Sequence, residues 1–111
     1  MKTELLHGTL DVLILKVLSW GPVHGFGVGR RIEELSGNEL RIEEGSLYPA
    51  LYRIEKKGWI ESSWGVSENQ RRAKFYSLTP QGRRQLLENT DTWSAFAQAV
   101  ARVLGATNQP A

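Results

Sequence analysis

Residues 58–82, GWIESSWGVSENQRRAKFYSLTPQG, decide the architecture. Two runs of strand-like composition, WIESSW and RAKFYSLT, are separated by the polar GVSENQR, which reads as a β-hairpin with a long loop. Phe75 and Tyr76 are adjacent, and neighbouring strand residues point to opposite faces, so the pattern leaves open which of the two faces the core. The hairpin runs straight into TPQG. There Thr79 offers an N-cap oxygen and Pro80 suits the first helical position, so a long helix is predicted over 80–104.

Upstream the apolar period changes from two to near 3.6. Leu10, Leu13, Ile14, Val17 and Leu18 mark one helix, with Thr9 at the N-cap place and Gly21–Pro22 beyond its end. Val12 and Leu15 widen its apolar surface past a single stripe. A second helix is predicted over 24–36, closed by SGN, with Val28, Ile32 and Leu35 as core contacts. A brief extended piece, ELRI, predicted as a small strand, then leads to a third helix over 44–57, where Leu47, Ala50, Leu51 and Ile54 form the stripe and Gly58 ends it. Pro49 is comfortable only near a first turn, where no N–H is needed. The predicted fold is mainly α with a small β-hairpin: a winged helix-turn-helix domain over 1–79, one long C-terminal helix over 80–104, and a flexible tail over 105–111.

A chain of 111 residues suffices for one core. The formal net charge of +2 is too small to argue for nucleic acid, but its distribution is uneven. Residues 41–84 hold nine Lys/Arg against five Asp/Glu, whereas the remainder holds five against seven, which implies one positive face. The absence of cysteine excludes disulfides and thiolate metal sites and suits a reducing cytoplasm. MKTELLHG lacks a signal-peptide pattern, and VLILKVL falls far short of the roughly 20 apolar residues that span a bilayer. A soluble, cytoplasmic protein with no membrane partner is expected.

The glycines of HGFGVGRR follow a predicted helix at G-x-G-x-G spacing, so they do not make a dinucleotide loop; they read as small residues that let two helices approach. His7 and His24 lack metal-ligand spacing, and His24 reads as tying down the turn between the first two helices. No Ser/His/Asp set or paired carboxylate stands out, so no enzyme, metal or cofactor is expected. In the third helix Ser46 and Tyr48 suit phosphate contact near a helix N-terminus, with Arg53 nearby, while Tyr52 reads as a partly buried residue with a wet tip. Glu43 and Glu44 would repel phosphates; they point sideways, pair with Arg41 or read a cytosine amino group. Arg71, Arg72 and Lys74 sit on a hairpin directly after a three-helix unit, where they reach phosphates or the minor groove of double-stranded DNA. In the last helix Leu86, Trp93 and Val100 lie seven apart, with Phe96 and Val103 between, a homodimer seam weakened by Asn89. Trp93 either fills space there or, with its copy, lines a flat cavity for a planar aromatic molecule.

Three segments, LLHGTLDVLILKVLSWGPVHGFGVGRRI, EEGSLYPALYRIEKKGWIES and RRAKFYSLTPQGRRQL, resemble the PadR family of bacterial transcriptional regulators over about residues 5–104. Gly45-Ser46-Leu47-Tyr48-Pro49-Ala50-Leu51, Arg53-Ile54-Glu55 and Gly58-Trp59-Ile60 carry the likeness; the usual His-Gly-Tyr appears as His24-Gly25-Phe26. The resemblance implies a DNA-binding winged helix dimerised through its last helix, usually a repressor, in the small subfamily with one terminal helix. That subfamily includes a multidrug-responsive repressor whose terminal-helix tryptophans sandwich aromatic ligands, which implies an effector site at Trp93 and Phe96. Two subunits would address a pseudo-palindromic operator with half-sites about one helical turn apart. Two alternatives stay open: a winged-helix protein-interaction module, and a ligand sensor without direct DNA binding.

Overall fold

Apolar residues at helical spacing carry the first helix, α1 (Leu10–Leu18), through the centre of the computed structural model, which describes residues 9–109. Ile14, Leu15, Val17 and Leu18 are buried, which for one short helix means contact on more than one side. Thr9 holds the N-cap place but keeps helical backbone angles, and its side chain makes no capping bond. His7 lies outside the described residues. Gly21 (φ +133°) follows the helix end in a conformation that glycine adopts without penalty, and its N–H returns to the Leu18 carbonyl.

β1 (Val23–His24) leads into α2 (Gly25–Leu35), and the predicted role of His24 is visible at this junction. Its Nδ1 accepts the Gly27 N–H at 3.1 Å, capping the helix. The glycines act as their spacing suggests. A Cβ at Gly29 would stand 3.1 Å from Leu47, and one at Gly25 would stand 2.8 Å from the Tyr48 ring, so both residues let α2 approach the third helix.

Two expectations for this region fail. Leu35 is 63% exposed, because α2 ends there and the chain folds back so that Leu40 and Ile42 pack on the core in its place. ELRI also forms no strand. Its backbone is held by side chains at the end of α2: Glu33 Oε2 accepts the Ile42 N–H at 2.9 Å and Ser36 Oγ accepts that of Leu40 at 3.0 Å. The small strand is β1, two residues long and too short to show a period.

α3 (Glu44–Lys56) buries Leu47, Ala50, Leu51 and Ile54, as its spacing predicts, and Gly58 (φ +80°) ends it. β2 (Ile60–Val66) and β3 (Arg72–Leu78) then form the hairpin, and β1 joins its far side to give an antiparallel sheet in the order β1-β3-β2. The wing loop spans only 67–71, shorter than predicted, and the Ser67 N–H to Arg71 carbonyl bond of 2.7 Å closes it. Register settles the aromatic question. Tyr76 pairs with Ser62 and is buried with Ile60, while Phe75 takes the opposite face and meets the His24 ring edge-on at 5.7 Å.

α4 (Pro80–Leu104) starts as the TPQG signal predicts, with Thr79 Oγ1 accepting the Gly82 N–H at 3.0 Å. Its first turns pack on the domain through Gly82 and Leu86; the rest projects, and the molecule is 63 Å long against 28 and 21 Å across.

A Cβ at Gly82 would stand 1.9 Å from the Trp59 carbonyl oxygen, a backbone atom that cannot swing aside. Gly82→Ala should therefore cost more than about 3 kcal/mol. Thr79→Ala, which loses the cap and the hydroxyl bond to Gly58, should cost about 1–2 kcal/mol. Urea unfolding with m held constant across the variants reads both, and a Gly82→Ala midpoint equal to that of the parent would refute the packing argument.

Candidate nucleic-acid interface

A helix N-terminus leaves its first N–H groups without helical acceptors. In α3 the Ser46 and Leu47 N–H groups both donate to the Glu43 carbonyl, at 3.0 and 2.9 Å, so the open donors are those of Glu44 and Gly45. Nothing lies within 4 Å of a Cβ built on Gly45, so a ligand backbone can approach the helix closely there. Pro49 sits in the second turn, one turn deeper than its chemistry favours. It has no N–H to offer the Gly45 carbonyl four residues back.

Ser46 is half-buried beside this opening. Tyr48 stands over Gly25 of α2 and is 41% exposed. Burial raises its phenol above the ordinary 10.0, and the Glu44 carboxylate adds to the rise. The phenol is therefore a neutral hydrogen-bond donor at physiological pH. Tyr52, read as partly buried, is 62% exposed, and Lys56 Nζ stands 5.1 Å from the centre of its ring. Among the described residues neither Glu43 nor Glu44 forms an ion pair, so of their three alternatives pairing with Arg41 is not the one adopted. Arg53 turns away from this end of the helix. Its guanidinium meets Asp11 of α1 at 2.5 Å, which ties α3 to the first helix.

The three wing cations occupy three environments. Arg71 lies in the loop, exposed and with no ion pair among the described residues. Arg72 stacks on the Trp64 ring at 4.6 Å, which leaves its guanidinium edges free. Lys74 points at α3 and lies 3.8 Å from Glu55. Sequence reasoning missed a further basic contribution. A cleft of about 820 Å³ separates α2 from the wing; Arg30 and Arg31 line it opposite Arg71 and Arg72, with Glu34 and Glu68 also in its walls. The pair Arg30-Arg31, at exposed positions of a predicted helix, carries that signal in the sequence. Arg30, 4.0 Å from Glu34, also lines with Phe26 and Glu33 a hollow that reaches Glu44 and Leu47, so the cations end at α2 and carboxylates line the way to the start of α3.

On the other side of the molecule, α1 and α4 enclose an apolar groove of about 810 Å³ lined by Val12, Leu13, Leu86, Leu87 and Trp93. Of the predicted seam, Leu86 packs on the core, whereas Trp93 (46% exposed), Phe96 (67%), Val100 and Val103 stand in the open. Among the described residues no group of three His, Asp or Glu side chains is placed to hold a metal ion, and no helix is long and apolar enough to cross a membrane.

Comparison with known proteins accords with this arrangement. Residues 14–88 match the transcriptional regulator PadR-like family. The chain belongs to the PadR family. The PadR-like transcriptional regulator from Bacillus cereus superposes with a TM-score of 0.78 at 28% identity, over 94% of this chain and 99% of that one. The PadR family regulator from Eggerthella lenta gives 0.75 at 31% identity, over 95% and 88%. Transcriptional regulator YqjI of Escherichia coli is 30% identical over 90% of this chain, which spans about half (47%) of that relative's length. The run Gly45–Leu51, which carries the PadR likeness, is thus the open N-terminus of α3, and Phe26, in place of the usual tyrosine, faces the hollow beside it.

Proposed function

We propose that this PadR family member is a homodimeric, sequence-specific DNA-binding transcriptional regulator acting as a repressor. The observation that carries the DNA reading is that Arg71 and Arg72 on the wing and Arg30 and Arg31 on α2 line one cleft. A recognition helix flanked by a cationic wing fits a major groove with phosphates on either side. Ser46 and Tyr48 lie near the strand backbone in this docking, and Arg71 and Arg72 grip flanking phosphates. Arg53, held by Asp11, acts indirectly by fixing α3. The apolar face of α4 supports the dimer, since Trp93, Phe96, Val100 and Val103 project beyond the core with little cover from their own chain. Two copies joined there address a pseudo-palindromic operator.

The groove between α1 and α4 supports a second reading, about regulation. Its volume, near 810 Å³, and its apolar lining suit a drug-sized planar aromatic effector, with Trp93 on one wall and Phe96 close by. Occupancy of the groove relieves repression.

Anisotropy titrations with duplex from upstream of the chain's own gene should show at least roughly 10³-fold preference over random duplex. Replacing Arg71 and Arg72 together by Ala should flatten the log–log salt dependence by about 3.6 for a dimer, four phosphate charges at about 0.9 each. An unchanged slope would remove the wing from the interface. Val100→Asp should convert the dimer to monomer in sedimentation velocity, by burying an unpaired charge in the seam; a parent that sediments as a monomer would end the dimer reading. Planar aromatic compounds should quench tryptophan fluorescence of the parent, and Trp93→Ala should abolish the effect. Equal quenching in Trp93→Ala would place the ligand elsewhere.

A further inference from the structure

Glu55, in the last turn of α3, divides its carboxylate between the two strands of the wing. Oε2 accepts the Ser62 hydroxyl of β2 at 2.5 Å, and Oε1 lies 3.8 Å from Lys74 Nζ of β3. Ser62 pairs with Tyr76 and Lys74 with Trp64, so Ser62 and Lys74 are diagonal neighbours on one face of the ladder. Beyond that point the wing has little to hold it to the domain. Trp64 and Val66 are exposed, and the stack of Arg72 on Trp64 lies within the hairpin itself. Among the described residues, every side-chain hydrogen bond or ion pair between α3 and the wing runs through Glu55.

We propose that Glu55 is a positioning residue that fixes the angle between recognition helix and wing, and that Lys74 completes this tether and makes no phosphate contact. The inference rests on the DNA-binding reading and revises it: the wing grips with two arginines per subunit. A hydrogen bond to a carboxylate is stronger than one between neutral groups, while a half-exposed ion pair is weak alone. Both act from one carboxylate here, so an amide at position 55 loses the ion pair and weakens the hydrogen bond together. Simple electrostatics predicts the opposite of the tether. A carboxylate beside DNA repels phosphates, so removing its charge should strengthen binding unless that charge holds something in place.

The test compares the full chain with Glu55→Gln, Lys74→Gln and the double variant, on upstream and random duplex at several salt concentrations. Amide hydrogen exchange over residues 64–74 is read without DNA. Glu55→Gln should speed wing exchange and weaken binding to the upstream duplex roughly three- to tenfold, because the binding-competent wing is populated less. Lys74→Gln should do the same, and the double variant should be no worse than either single one, as expected for one shared interaction. Ser62→Ala, which leaves both charges in place, should show a milder form of the same change. Two results overturn the proposal. One is unchanged wing exchange in Glu55→Gln. The other is equal or tighter DNA binding by Glu55→Gln, together with a salt slope flattened by about 1.8 in Lys74→Gln, as when a dimer neutralises two fewer phosphates. Faster exchange in Glu55→Gln, with a parent that does not distinguish the two duplexes, keeps the tether and discards the DNA reading.

Discussion

Thr79 donates its hydroxyl to the Gly58 carbonyl at 2.7 Å, accepts the Gly82 N–H at 3.0 Å, and sends its own N–H to the Trp59 carbonyl at 3.1 Å. Gly58 closes α3, Trp59 precedes β2, Thr79 follows β3, and Gly82 lies in the first turn of α4. Four elements therefore meet on one residue. Gly82 is part of the same joint, since only a residue without a Cβ lets the first turn of α4 rest on the Trp59 carbonyl. The direction in which α4 leaves the domain follows from this corner. So does the placement of Leu86, Leu87 and Trp93 across from α1.

The ladder register imposes a second constraint, on the cations. Strand residues alternate, so Arg72 and Lys74 lie on the same side as Tyr76 and Leu78, the side turned to the core. Near the base of the hairpin that side belongs to Ile60 and Tyr76, which are buried. Further out the same side faces α3, and a lysine there meets Glu55 before it meets solvent. Only past this point does an arginine reach the open. Arg71, Arg72 and Lys74 look like one basic cluster in sequence, yet distance along the wing sorts them into a loop cation, a stacked cation and a tethered one.

What the sequence made legible was whatever depends on period and punctuation. The stripe of α3, the Thr79-Pro80 start of α4 and the hairpin all follow local rules, and the winged-helix architecture follows from their order. The misses share a different cause. β1 is two residues long, and its strand character comes from β3 alongside it. Leu35 has the right spacing for the core, but Leu40 and Ile42 from the following segment take its place. Arg53 and Lys74 were read as surface cations because their partners, Asp11 and Glu55, are 42 and 19 positions away. Ion pairs across elements leave no local trace. Arg30 and Arg31 were legible in principle, since both sit on the exposed side of a correctly placed helix.

The apolar face of α4 and the groove along α1 are not independent features, because Trp93 belongs to both. Burying apolar area stabilises at roughly 25 cal/mol per Å², and large side chains such as Trp93 and Phe96 gain most from cover. In the proposed dimer a second copy laid along α4 would supply that cover and at the same time wall the groove. An occupant of the groove would then make contacts in the pair that it lacks in the single chain. By linkage, such an occupant favours assembly by the same free energy by which assembly favours its binding. Arg53, which joins α3 to Asp11 in the first turn of α1, connects that wall of the groove directly to α3. A shift of α1 against α4 would therefore reach α3 through this ion pair and through the core packing that the two helices share.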